Sequence, residues 1–159
     1  MMEPAGVDIG ASLAAIDAGE HQTGFGGWSV IQMPDDLDRL GAVITATRPN
    51  VVVETGTHTG GMALWYADRV PAVLAVDVNP DAGDAVREGP PWLSRSVTLL
   101  TGRSSVDPGL VAEVSSRLVA AGGRVMVVLD SLHTAAHVTV EIDAYGPLIV
   151  AVLSAAGVA

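Results

Sequence analysis

Four short polar stretches, each following an apolar run rich in β-branched residues, contain the side chains in this chain that are suited to chemistry. The first is Glu54-Thr55-Gly56-Thr57-His58-Thr59-Gly60-Gly61, a glycine-rich turn running into a helical pattern. Glycine there allows a sharp turn and a close approach by a ligand, and a helix N-terminus supplies unpaired N–H donors. A plain strand-to-helix turn uses the same residues. The second stretch adds what the first lacks: Asp77, at the end of Ala75-Val76-Asp77-Val78-Asn79, lies about twenty residues beyond the glycines. A carboxylate at that distance can accept both ribose hydroxyls of an adenosine. The competing use is a helix cap, for which Asn79 and Asp81 are equally suited.

The third stretch, Thr101-Gly102-Arg103-Ser104-Ser105, has small and hydroxyl-bearing residues fit to line an adenine pocket, unless Ser105 or Asp107 simply caps the next helix. The fourth is Leu129-Asp130-Ser131-Leu132-His133, followed by His137 and Glu141. Asp130 leaves an apolar strand, where a lone carboxylate is costly unless paired, hydrated or metal-bound. His133, within reach of it, suits proton transfer near neutral pH. His133, His137 and Glu141 are spaced four apart, so with Asp130 they can imitate a zinc site. The glutamate of the His-Glu-x-x-His pattern is missing, and a solvated helix face explains the spacing more simply.

These stretches need elements to hold them. The apolar runs Val51 to Val53, Val73 to Val78, Val97 to Leu100 and Val125 to Leu129 read as strands. Helical spacing covers roughly Gly60 to Arg69, Asp81 to Glu88, Pro108 to Ala121 and Thr134 to Tyr145. Strict alternation implies parallel strands with right-handed crossovers, hence a doubly wound, mostly parallel α/β sheet whose ligands sit beyond the strand carboxyl ends. Ahead of it, the chain from Pro34 reads as a helix that stops before Pro49, with Leu37, Leu40, Val43 and Ile44 on one face. His21 to Trp28 reads as a glycine-broken loop, packed simply or folded over a site, and Met1 to Glu20 as a loosely docked arm. The expected division is therefore an arm and loop over residues 1–26 and one domain over residues 27–159. Leu148 to Leu153 is expected as a fifth strand after Pro147, the alternative being a continued helix. Its apolar edge would call for a second copy of the chain, a homo-oligomer.

Composition bounds the rest. The 159 residues suit one domain, 49% hydrophobic and 16% charged. A net charge of −10 with only eight basic residues disfavours nucleic acid and points to a small-molecule partner. There is no cysteine, so no disulfide or thiolate metal site. With neither a signal-peptide pattern nor a membrane-length apolar run, the expectation is a cytoplasmic protein without a membrane partner.

Taken in order, Ile31-Gln32-Met33-Pro34-Asp35-Asp36-Leu37, Arg48-Pro49-Asn50 leading into Val53-Glu54-Thr55-Gly56-Thr57 with Gly60-Gly61, Val76-Asp77, and Asp130-Ser131-Leu132-His133 with His137-Val138 and Glu141 resemble the cephalosporin hydroxylase family. The resemblance runs from about Gly27 to Leu148. It implies a Rossmann-like methyltransferase fold, similar to catechol-type and sugar O-methyltransferases. It further implies S-adenosylmethionine as cofactor, magnesium in many members, and a sugar or natural product as acceptor. By position, it places Glu54, Gly56, Thr57 and Gly60 in the cofactor loop and Asp77 on the ribose. Ser104 falls at the adenine-side turn, Asp130 at the first magnesium carboxylate, and His133 near the acceptor, with Asp130 and His133 as the catalytic pair. The family continues through a further strand ending in an acidic pair, whereas here no acid follows Asp143, so a C-terminal shortening and an incomplete metal site are expected. Two other functions stay open: a methyltransferase-like subunit that binds without catalysis, and an enzyme of the same fold doing acid–base chemistry such as cyclisation or hydration.

Overall fold

The computed structural model describes residues 22–155. Met1 to Glu20, read above as an arm, lie outside the described residues. The described chain opens with strands β1 (Gln22–Phe25) and β2 (Trp28–Ile31), paired antiparallel. The loop expected here is therefore a hairpin, and the expected boundary at residue 26 falls within its turn. Gly26 and Gly27 have φ of 59° and 92°, and positive φ at both central residues is what a two-residue type I′ turn demands. The glycines taken as breakers are the turn that joins the strands. Val30 is buried in the core, with Phe25 and Trp28 packed partly against it.

Helix α1 (Pro34–Thr47) begins with proline in its first turn and Asp35 and Asp36 at its positive end. Ile44 is buried and Leu37 and Leu40 pack on the core, but Val43, expected on the same face, is exposed. It lies a quarter-turn from Ile44, beyond the edge of the stripe. The helix ends where Arg48 takes a left-handed conformation, φ 49°, ahead of Pro49.

Strands β3 (Val51–Thr55), β4 (Ala72–Asp77), β5 (Val97–Thr101) and β6 (Val125–Leu129) form one parallel sheet in the order β5-β4-β3-β6. The chain steps outward from β3 to β5 and then returns to the far side of β3, so strand order reverses between β3 and β6. Alternation along the strands sends side chains to two cores. Val52, Val73 and Ala75 meet α1, the hairpin, α2 (Gly61–Ala67), α3 (Asp84–Glu88) and α4 (Pro91–Ser94). Val51, Val53, Leu74, Val76 and Leu100 meet Leu110, Val114 and Leu118 of α5 (Pro108–Ala121) and Tyr145 of α6 (Ala135–Ala155). The doubly wound, mostly parallel Rossmann-like class expected from the alternation is what the chain forms.

The expected strand at Leu148–Leu153 is not formed: that segment continues α6 through Pro147, and Leu148 packs on the second core. An unbroken apolar run has no periodicity to separate strand from helix. The edge that suggested a homo-oligomer is therefore not at this place.

Candidate active site

The register sets Thr55 of β3 beside Leu129 of β6, so the residues that follow, Gly56 and Asp130, flank the crevice where strand order reverses. Their approach is close. Gly56 has φ 84°, and a Cβ there would stand 2.2 Å from the Asp130 carbonyl oxygen and 2.8 Å from Ser131 Cα. Any side chain at this position would push the two loops apart.

The glycine loop is also tied to β4. The Asp77 carboxylate accepts the His58 N–H through Oδ2 and the Asn79 N–H through Oδ1, both at 2.8 Å. Helix α3 starts only at Asp84 with Gly83 as its cap, so Asp77 is not a helix cap. It faces a cleft of about 570 Å³ that also reaches Val78, Ser104, Ser105, Leu132 and His137. Asp107, not Ser105, caps α5, accepting the Leu110 N–H at 2.8 Å.

A second cleft, of about 470 Å³, lies on the hairpin side and is lined by Gln32, Met33, Glu54, Thr57, Met62 and His133 among others. Gly56, His58 and Asp130 line both clefts, so the two adjoin at the strand ends. Gly60, in the left-handed region, caps the N-terminus of α2 beneath the loop.

Two carboxylates dominate the electrostatics. Glu54 is buried at the end of β3, and burial pushes its carboxyl up to about 8. The Thr57 hydroxyl opposes this, and the charges of Asp130 and Asp77 add to it. Thr57 Oγ1 lies 3.2 Å from Glu54 Oε2 and 3.3 Å from the Val76 carbonyl. A hydroxyl has one hydrogen, and Thr57 shares it between Glu54 Oε2 and the Val76 carbonyl. Asp130 is half-buried, and desolvation holds its carboxyl above the usual range despite hydrogen bonds from His133 and Gln32. Gln32 Nε2 donates to Oδ2 at 2.8 Å, and His133 Nε2 lies 3.0 Å from Oδ1.

The structure thus brings Glu54, Gly56, Thr57, Asp130 and His133 around one cleft, with Asp77 and Ser104 around the adjoining one. Residue 32, ninety-eight positions from Asp130, had no role in the sequence reading, and no local spacing joins the two. The four-residue face of His133, His137 and Glu141 does not exist as such, because α6 begins at Ala135, after His133. His137 turns instead to Ser105 Oγ at 3.2 Å and to Glu141, which is fully buried and accepts the Ser131 hydroxyl at 2.7 Å. Among the described residues, no group of three or more histidine or acidic side chains is gathered that could hold a metal ion. No helix among them is long and apolar enough to cross a membrane.

The family model described as Rhamnosyl O-methyltransferase/CmcI matches residues 20–152. The chain is similar to the rhamnosyl O-methyltransferases of Mycobacterium tuberculosis and Mycobacterium bovis, 27% identical over 120 residues, covering 72% of this chain and 47% of each relative. It spans about half the length of the curated relatives it matches. Among solved structures, a chain titled "cmcI-N160 SAH" matches with a TM-score of 0.48 at 13% identity, covering 80% of this chain and 78% of that one.

Proposed function

From the premise that this chain belongs to the Rhamnosyl O-methyltransferase/CmcI family, we propose that it is an S-adenosylmethionine-dependent O-methyltransferase acting on a sugar or small natural product. The observation that carries the reading is the pair of adjoining clefts at the reversal of strand order, with Asp77 in one and Asp130 and His133 in the other. The cofactor fits the residues present. Gly56 leaves the loop without a Cβ toward the Asp130 backbone. Each Asp77 oxygen, after one backbone N–H, keeps a lone pair for a ribose hydroxyl, and Ser104 and Ser105 line the space beyond it. Glu54 and Thr57 face the other half, where a cationic group would favour the ionised carboxylate.

When bound, S-adenosylmethionine supplies a methyl carbon made electrophilic by positively charged sulfur. The chain's part is to hold the acceptor and take its proton. His133 donates its Nε2 hydrogen to Asp130 Oδ1, which leaves Nδ1 as the basic atom. The acceptor's hydroxyl proton passes to Nδ1 as its oxygen takes up the methyl group, and the Asp130 carboxylate stabilises the imidazolium that results. Gln32 holds the other carboxylate oxygen from the hairpin side. Magnesium does not fit as well: with Asp130 alone, its oxygens engaged by Gln32 and His133, the donor set for an octahedral ion is not assembled, and no step here runs through a metal.

The same engagement of Asp130 favours a second reading, a subunit that binds the nucleoside without turnover. Calorimetric titration with S-adenosylmethionine, with and without magnesium, tests both. We expect binding that is indifferent to magnesium and at least tenfold weaker in Asp77→Ala. No binding by a folded protein would refute both readings, and binding with no methyl transfer to any sugar or natural-product acceptor offered would leave the second.

A further inference from the structure

At the opposite end of the sheet, beyond the amino ends of β3 and β6, lies a third cleft, of about 680 Å³, lined in part by Arg48, Arg69, Arg124, Asn50 and Thr45. Three of the chain's eight basic residues meet there, in a protein of net charge −10, and among the described residues no carboxylate lines the cleft. Elsewhere in the structure Arg39, Arg87, Arg103 and Arg117 each pair with an acid. Arg48 and Arg124 do not. Like charges drawn into one concavity repel, and without a counter-charge that repulsion is unrelieved.

The groups are also held in place. Arg124 donates its Nε hydrogen to the Arg48 carbonyl at 2.9 Å, and its own N–H goes to Asn50 Oδ1 at 2.9 Å. That leaves both Nη groups of Arg124 and the amide NH₂ of Asn50 as donors. The Arg69 guanidinium sits over Trp65, 4.0 Å from the ring centre, with Nη1 bonded to the Trp65 carbonyl and to Asp68. Its charge is partly answered already by Asp68. Arg48 brings a guanidinium with no hydrogen bond or ion pair among the described residues, set at the end of α1 by its left-handed backbone.

We propose that this cleft binds the phosphoryl group of a soluble small molecule, seated between the guanidinium groups of Arg48 and Arg124. Planar forks with several free N–H donors match the oxygens of a phosphate or diphosphate better than one carboxylate. The five residues of β3 separate it from Gly56 by roughly 16 Å at about 3.3 Å per residue, so it is a site apart from the strand-end clefts and independent of the reading given to them.

Pyrophosphate titrated calorimetrically into the whole chain at low salt, with inorganic phosphate in parallel, tests the proposal. We expect one saturable pyrophosphate site per chain, weakened at least tenfold in Arg48→Gln/Arg124→Gln. It should survive in Arg39→Gln/Arg87→Gln, which removes the same charge elsewhere. Because Arg124 also ties the chain together, the single Arg48→Gln variant repeats the test with a side chain that has no structural partner, and it too should bind several-fold more weakly. Absence of a site, equal loss in both double variants, or binding to phosphatidylglycerol vesicles without binding to pyrophosphate would each overturn it.

Discussion

Replacing Glu54 by glutamine should make the protein more stable, and increasingly so as pH rises. The carboxyl is buried and is pushed from 4.5 up to about 8, first by desolvation and then by the charges of Asp130 and Asp77. The native state therefore holds a proton that the unfolded chain releases above pH 4.5, so native binds more protons than unfolded between 4.5 and 8. Stability must fall with pH through that window and level off above it. Each tenfold difference in proton affinity is worth about 1.4 kcal/mol, so the whole window takes away up to about 5 kcal/mol. Glutamine keeps the shape, cannot ionise, and its amide oxygen can still accept the Thr57 hydroxyl hydrogen. Urea denaturation of the wild type and Glu54→Gln from pH 5 to 8.5 is the assay. The difference between the two curves cancels the general repulsion of an acidic chain. We expect near-equality at pH 5 and an advantage of several kcal/mol for the variant at pH 8. Parallel profiles would refute the reasoning, since Glu54 would then be ionised or solvated in the native state. On the proposed reading, in which a cationic cofactor favours the ionised Glu54, S-adenosylmethionine binding near pH 7 should release protons in the wild type but not in the variant.

Gly56→Ala combines a left-handed φ with a Cβ only 2.2 Å from the Asp130 carbonyl oxygen. The backbone conformation alone costs about 1–2 kcal/mol, and the clash with main chain should bring the loss measured by denaturation to about 3 kcal/mol or more. Leu110→Ala, at a fully buried position of α5, should cost about 2–5 kcal/mol in the same assay, with S-adenosylmethionine affinity unchanged while the protein stays folded. Tyr145→Phe removes a buried hydrogen bond from its hydroxyl to the Ser105 carbonyl at 2.8 Å. A loss of about 1–2 kcal/mol is expected, and an unchanged melting curve would show that water replaces it. His133→Ala should leave S-adenosylmethionine affinity within about twofold and slow methyl transfer by roughly 10²–10⁴; a loss of affinity instead would place His133 in the cofactor site.

Much of the scaffold was legible along the chain, because the cues are local. β-branched runs marked all four strands of the sheet, and Asp107-Pro108 marked the start of α5 with its cap. The turn Glu54 to Gly61, the distance to Asp77 and the emergence of Asp130 from an apolar strand located the crevice, since parallel topology sends all three to the same end. What failed also failed locally. Gly26-Gly27 was read as a break because glycine signals a turn and a disruption alike until the pairing strands are seen. Leu148 to Leu153 was read as a strand because an apolar run without polar neighbours carries no period.

The tertiary structure alone decided which groups meet. Gln32 reaches Asp130 only because the hairpin packs over α2. His133 and His137 part company because the helix starts between them. The Glu54 carboxyl is pushed up because the fold buries it at a strand end, with Asp130 and Asp77 adding to the effect. Arg48 and Arg124 share a cleft because β3 and β6, distant in sequence, lie side by side. Composition and spacing determine which elements form, since those depend on neighbours within a few residues. The proton affinities and the sites depend on distances across the sheet, which exist only once the chain has folded.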